Sequence, residues 1–227
     1  MRHHDEVTEG RGVLIEWLTA KITRRRLDAF VTEHGTDELT LDIGCGPAPY
    51  DRLFPNRVGM DVAQRGGADV LGDVLALPVR TGSAPVVFAS ELLEHVTDPQ
   101  RAVDEMRRVL VPGGRAILTT RFCFPIHDAP GDYFRYTRYG LEHLFREWSD
   151  VEVRAETPAG ETVGALLQRV AFQSELKGGR LAAGVLLLIA RGFAALDLVV
   201  KGQFGDVGRT RLAPEILTAG YHVVARR

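Results

Sequence analysis

The sequence predicts an α/β fold: a doubly wound, mostly parallel sheet of seven strands, with a helical insertion between the sixth and the seventh. Three observations carry that reading. Short apolar runs alternate with amphipathic segments, which implies crossover units rather than hairpins. The first run ends in a glycine-rich turn, Gly44-Cys45-Gly46. About 65 residues separate the last two strands, where a hairpin needs only two to five.

The elements follow in order. Val13 to His34 has helical periodicity, with Leu14, Trp17, Leu18 and Ile22 on one face, and Arg24-Arg25-Arg26 reads as a solvated helix end. Leu39 to Ile43, Arg57 to Asp61, Ala68 to Leu71 and Ala84 to Ser90 are the first four strands. Asp98 caps a helix with Pro99 at its first position, and Pro112-Gly113-Gly114 stops it after Leu110. Arg115 to Thr120 is the fifth strand, Thr137 to Trp148 a helix, Val151 to Ala155 the sixth strand and Tyr221 to Ala225 the seventh. Gly160 to Lys177 and Gly179 to Lys201 are helices of the insertion.

Composition excludes several classes. In 227 residues, 45% hydrophobic and 26% charged side chains are globular values, so wholesale disorder is out. With 28 basic against 30 acidic residues there is no global basic field, and nucleic acid is not an expected partner. Cys45 and Cys123 are too few to staple a secreted domain and lack metal-like spacing. The opening Met1 to Glu6 carries no signal-like pattern, so the cytoplasm is the expected location. In Arg180 to Lys201 the longest uninterrupted apolar piece, Leu181 to Ala190, is ten residues, against the roughly 20 that span a bilayer. No transmembrane segment is expected. A buried or interface helix is, with contact along a membrane surface as the alternative.

The sharpest chemistry lies in LDIGCGPAP, residues 41–49. A strand ending in Asp-x-Gly-x-Gly sets Asp42 beside a turn whose glycines let a ligand approach the backbone. Pro49 stands where a dinucleotide fold has its third glycine, and Pro55 leaves little room for a phosphate-binding helix. Asp61, at the end of the second strand, suits the two hydroxyls of a ribose. Asp73, beside the Val74 amide, suits the edge of an adenine. Each acid alone has a reading as a turn or cap residue. Three acids at the ends of three successive strands describe an adenosine site without a phosphate clamp.

LDIGCGPAPY, VGMD, GDVLALP, ELLEHVTDP and RRVLVPGGRAILTT, in this order and spacing, resemble class I S-adenosylmethionine-dependent methyltransferases of the type 11-like kind, over about Glu38 to Trp148. GPAPYDRLF and PIHDAPGDYFRYTRYGLEHLF are similar to a bacterial branch assigned to glycan and natural-product pathways. The third glycine of the family's Gly-x-Gly-x-Gly is Ala48 here. The resemblance implies a Rossmann-like core with S-adenosyl-L-methionine as cofactor. Asp42 and the Gly44, Cys45 and Gly46 backbone would hold its methionine end, Asp61 its ribose, Val62, Asp73 and Val74 its adenine. Ser90, Glu91 and His95 would line the methyl end, although Glu94-His95 also reads as the polar face of a short helix.

The implied reaction is methyl transfer to a small-molecule acceptor, a hydroxyl of a sugar-containing or natural-product substrate. A hydroxyl needs a base, and the loop after the fifth strand emerges at the ligand edge. His127 is the candidate base with Asp128 as orienter or alternative, and Tyr133, Arg135 and Tyr136 suit a polar ring. The alternative for Asp132, Tyr133 and Arg135 is that they tie the loop down. No metal is expected, since no second ligand cluster accompanies His127, Asp128 and Asp132. Residues 1–37 form an N-terminal helical cap in this reading, 38–155 with 220–227 the cofactor-binding core, and 156–219 an insertion that caps the acceptor or makes a homodimer contact. In its second helix Leu181, Val185, Leu188 and Ile189 share a face, and Leu186 and Leu187 make it apolar on more than one side. N- or C-methyl transfer, a nicotinamide-dependent oxidoreductase and a non-catalytic cofactor-fold protein are the other readings.

Overall fold

The apolar runs form one seven-stranded sheet in the computed structural model, which describes residues 15–64, 66–213 and 215–227. In chain order the elements are α1 (Ile22–His34), β1 (Thr40–Ile43), β2 (Arg57–Asp61), β3 (Val70–Leu71), β4 (Ala84–Ser90), α2 (Pro99–Val109), β5 (Leu110–Arg121), α3 (Arg138–Leu144) and β6 (Ser149–Ala155). They continue with α4 (Ala159–Gln173), α5 (Gly179–Gly192), β7 (Gln203–Phe204), β8 (Leu212–Ala213) and β9 (Gly220–Arg226). The sheet order is β3-β2-β1-β4-β5-β9-β6. Strands β1 to β5 are parallel, and β9 is antiparallel to both β5 and β6, so β6 runs with the first five. The doubly wound, mostly parallel fold is therefore as the sequence predicts.

Two units divide the chain: Leu27–Glu156 with Gly220–Arg227, and Met1–Arg26 with Thr157–Ala219. In the sheet unit the side chains of successive strand residues go to opposite faces. Val87, Ala89, Ala116 and Leu118 join α2 residues Ala102, Val103 and Met106 in one buried cluster, while Val86, Phe88 and Ile117 join Leu27, Phe30 and Val31 of α1 in the other. Burial on both faces is why these strands read as continuous apolar runs rather than alternating ones. Asp98 caps α2 by accepting from Arg101 N at 3.1 Å. Helix α3 is shorter than the pattern suggested: Thr137 caps it, and Phe145 and Trp148 are buried from a following turn. Strand β5 starts earlier, at Leu110, with a register shift where Pro112-Gly113-Gly114 bulges out of the pairing.

The other unit is held by side chains reaching to backbone. The predicted first helix is broken at Ala20-Lys21, and Val13 and Leu14 lie outside the described residues. Gln168 replaces the lost helical bonds: its Oε1 accepts from Ile22 N at 3.0 Å and its Nε2 donates to Ala20 O at 2.9 Å. Arg25 and Arg26 are not simply solvated; both donate to Glu161 of α4, at 3.1 and 2.9 Å. Helices α4 and α5 approach closely at Gly164, where a Cβ would stand 2.4 Å from Ala190 O. The helical backbone of α5 continues as a 3₁₀ turn to Leu198 (Phe193–Leu198), so Gly179–Leu198 is a 20-residue stretch that by length and composition alone is long and apolar enough to cross a membrane. The interrupting charges that argued otherwise are used inside the unit. Asp197 accepts from Gly160 N at 2.6 Å, and Arg191 donates to the carbonyls of Trp17 and Ala20.

Within α5 the sides differ. Leu187 is 7% exposed, whereas Leu188 on the neighbouring face is 59% exposed. Leu187→Glu should therefore cost this unit about 3 kcal/mol or more by burying a carboxylate without a partner. Leu188→Glu should change stability by no more than about 0.5 kcal/mol. Urea unfolding of the two variants checks this; equal losses would contradict the assignment of faces.

Candidate functional site

Parallel pairing brings the carboxyl ends of β1, β2 and β3 to one edge, and the turn after β1 is fastened there by β2. Gly44 N and Cys45 N donate to Met60 O, at 2.8 and 3.2 Å. Asp61, 6% exposed, accepts from Gly46 N through Oδ2 and from Ala63 N through Oδ1, each at 3.1 Å. Each of its oxygens keeps a second acceptor position. Gly44 and Gly46 have φ of +71° and +52°. A Cβ on Gly44 would meet Leu92 at 2.8 Å, but nothing lies within 4 Å of the corresponding point on Gly46. That glycine leaves backbone open to a ligand. Ala48 has φ +52°, so the alanine at the third-glycine position keeps a glycine-like backbone under strain. A three-residue 3₁₀ turn, Asp51–Leu53, follows, and no helix stands there to receive a pyrophosphate.

Asp42 is buried at the root of this turn, 3.5 Å from Arg57 Nη1. Burial raises its pKa to about 6; the Arg57 charge opposes that, and Asp61 and Asp69 add to it. Asp73 is exposed and closes a local turn by accepting from Leu75 N at 2.8 Å, with Val74 buried behind it and Val62 exposed at the same edge. Burial, and then Asp42, push the Cys45 thiol up, which makes it a packing residue rather than a nucleophile.

The second half of the edge lies at the ends of β4 and β5. Ser90 Oγ is 3.2 Å from Thr119 Oγ1. Glu91, at φ +52°, turns its carboxylate to the Arg121 guanidinium, which is 4% exposed and also donates to Glu156 at 2.7 Å. Leu93–His95 is a 3₁₀ turn, but Glu94 is fully buried, so this is no solvated polar face. Glu94 Oε2 accepts from Thr120 Oγ1 at 2.7 Å while Oε1 has no hydrogen-bond partner among the described residues. His95 Nδ1 lies 2.7 Å from Gly131 O, and the rings of His95 and His127 meet edge to face at 4.8 Å between centroids.

The loop after β5 corrects several expectations. Asp132, not Asp128, holds His127: Asp132 Oδ2 accepts from His127 N at 2.8 Å and lies 3.3 Å from Nδ1, out of line for a hydrogen bond. Asp128 is exposed, at φ +56°. Arg135 ties the loop by donating to both Asp132 oxygens at 2.6 Å and to the carbonyls of Phe124 and Pro125. Tyr136 is a core residue whose hydroxyl donates to Leu93 O at 2.9 Å, so it is not available to a substrate. Tyr133 alone of the three expected acceptor residues is exposed. Burial lowers the His127 pKa, opposed by Asp132, so the ring is a neutral imidazole at pH 7. The tie-down role that the sequence allowed for Asp132 and Arg135 is the one the structure shows. Sequence reading missed Arg121, and it took Glu94 only for part of a polar face.

Residues 41–118 match the family described as a methyltransferase domain. An uncharacterized methyltransferase of Mycobacterium sp. (strain JLS) is 38% identical over 93 residues, which cover 35% of this chain and 37% of that protein. The chain thus spans little more than a third of the curated relative it matches. Among solved structures, an Archaeoglobus fulgidus SAM-dependent methyltransferase aligns with a TM-score of 0.54 at 14% identity, covering 93% of this chain and 94% of that one. The Haemonchus contortus phosphoethanolamine N-methyltransferase 2 bound to S-adenosyl-L-methionine gives 0.53 at 15% identity, covering 93% and 55%. The [4+2]-cyclase SpnF gives 0.52 at 19%, covering 89% and 80%. At these identities the likeness is one of fold.

The methyltransferase match ends at residue 118, before the loop that carries His127. Within the matched segment, ionised Asp42 is a cost to the protein alone. Its raised pKa favours the folded state below about pH 4, and this contribution is lost as pH rises through about 6. Asp42→Asn should therefore melt higher than the parent above pH 6, with the difference opening between pH 4 and pH 7. A parent more stable than the variant at pH 8 would show that Arg57 fully compensates the charge.

Proposed function

We propose that this chain binds S-adenosyl-L-methionine along the β1–β3 edge and passes its methyl group to a hydroxyl of a small sugar-containing or natural-product acceptor. The observation that carries the cofactor reading is the turn after β1: open backbone at Gly46, acids at three strand ends and no helix for a pyrophosphate. That donor set fits an adenosine and an ammonium group, with Asp61 for the ribose, Asp73 and Val74 for the adenine, and buried Asp42 for the positive charge. Val62, Ser90 and Cys45 would border the bound molecule. The sulfonium supplies the reactive methyl and its own leaving group. What falls to the protein is alignment, exclusion of water and handling of the acceptor's proton. His127, neutral and fixed through its backbone by Asp132, is the residue this reading assigns to that proton. Exposed Tyr133 would offer the acceptor a ring face and a hydroxyl.

Calorimetry tests this reading. The protein should bind S-adenosylhomocysteine and not NAD, and Gly46→Ala, which puts a methyl group into the open space, should weaken binding at least about tenfold. Its cost to folding should stay near the 1–2 kcal/mol of a left-handed alanine. Heat with NAD alone, or unchanged affinity in Gly46→Ala, would overturn it.

A further inference from the structure

Glu94, His95 and His127 lie apart in the chain, yet each offers one ligand atom, and these atoms all lie within 4.8 Å of one another. The spacing hides this: thirty-two residues separate His95 from His127, and the fold closes the gap by laying the loop after β5 over the turn after β4. We propose that these three side chains hold a divalent first-row transition-metal ion, with at least one coordination position left for an acceptor oxygen.

Three features point to a cation rather than to an incidental cluster. First, the non-ligating atom of two of the side chains is already engaged: Thr120 Oγ1 donates to Glu94 Oε2 and the Gly131 carbonyl faces His95 Nδ1, while Asp132 stands 3.3 Å from His127 Nδ1 without a hydrogen bond to it. Protein metal sites fix their ligands in this way, with a carbonyl or carboxylate on the far nitrogen of each imidazole. It leaves Nε2 of both rings to donate a lone pair. Second, Glu94 Oε1 is unpartnered in a side chain with 0% exposure, and neither ring nitrogen of His127 has a hydrogen bond. Orphaned polar atoms at such depth call for a partner. Third, the neighbourhood is rich in carboxylates: Glu91 and Glu156 both meet the Arg121 guanidinium, and Glu94 lies close by.

Two imidazoles and one carboxylate suit Zn²⁺, Co²⁺, Fe²⁺ or Mn²⁺ better than Mg²⁺ or Ca²⁺, which prefer oxygen alone. Metal–ligand distances of about 2.0–2.2 Å require the ligand atoms to draw together by roughly 1 Å, within reach of side-chain rotation. The inference rests on the proposed methyl transfer only for its use: a hydroxyl bound to the ion would lose its proton more readily, to solvent, and His127 would act by holding the metal in place of taking that proton itself. Binding itself can be read without cofactor or acceptor.

Chelator-treated protein titrated with Co²⁺ should develop a visible absorption band saturating at one ion per chain, and Zn²⁺ should abolish it by displacement. His95→Ala and His127→Ala should each weaken Co²⁺ binding at least tenfold, as should Thr120→Val, which removes only the bond that aims Glu94. His143→Ala, at an exposed histidine, should leave it unchanged. Absence of the band with the parent at millimolar Co²⁺ would overturn the proposal. So would affinity unaltered in both histidine variants, even if S-adenosylhomocysteine still binds.

Discussion

One buried guanidinium organises the acceptor half of the edge. Arg121, the last residue of β5, meets Glu156 from the end of β6 and Glu91 from the end of β4, and lies over the Phe124 ring at 4.5 Å. A charge at this depth is tolerable only with its partners in place. The strand ends therefore cannot drift independently. The loop that follows also starts and finishes on this residue, because Tyr136 N donates to Arg121 O at 3.0 Å. Thr120 extends the arrangement to Glu94, and Glu94 O in turn accepts from Tyr133 N and Phe134 N. His95 and His127 are thus placed by a network centred on Arg121, through Thr120, Glu94 and the loop backbone.

The other half of the edge is built differently, from carboxylates on backbone. Asp61 clasps the glycine turn and Asp42 stays buried beneath it at an energetic cost. Left-handed backbone at non-glycine residues recurs on this rim, at Ala48, Glu91 and Asp128. Such strain persists where the surroundings over-determine the conformation. A reaction whose cofactor carries its own leaving group asks mainly for alignment, and both halves supply fixed reference points.

Much of this was legible in the sequence. Strand positions followed from apolar runs, since a sheet buried on both faces needs them, and the glycine turn with Asp61 followed from its spacing. Helix ends read less well: Phe145 and Trp148 keep the helical apolar rhythm but pack from a turn. The break at Ala20-Lys21 was invisible because the Gln168 side chain that compensates for it comes 148 residues later. The same reason hid the Glu94, His95 and His127 convergence, whereas the choice between Asp128 and Asp132, four residues further along, was left open by the sequence and is settled by the loop's fold. Sequence distance carries no information about which of two nearby acids a loop turns inward. Tyr136 misled because an aromatic beside polar residues looks like a binding group, whereas its hydroxyl closes on Leu93.

The claim that Arg121 holds this edge together is tested most directly by the unfolding free energy of Arg121→Met. At pH 8 the substitution leaves Glu91 and Glu156 facing each other without compensation, and the predicted loss is about 3–5 kcal/mol. Burial raises the Glu156 pKa to about 7 even against the pull of Arg121, and without Arg121 it rises further, so the loss should be largest above pH 7, shrink as pH falls through about 7 and level off below it. A loss below about 1 kcal/mol at pH 8, or one that does not change with pH, would contradict the account.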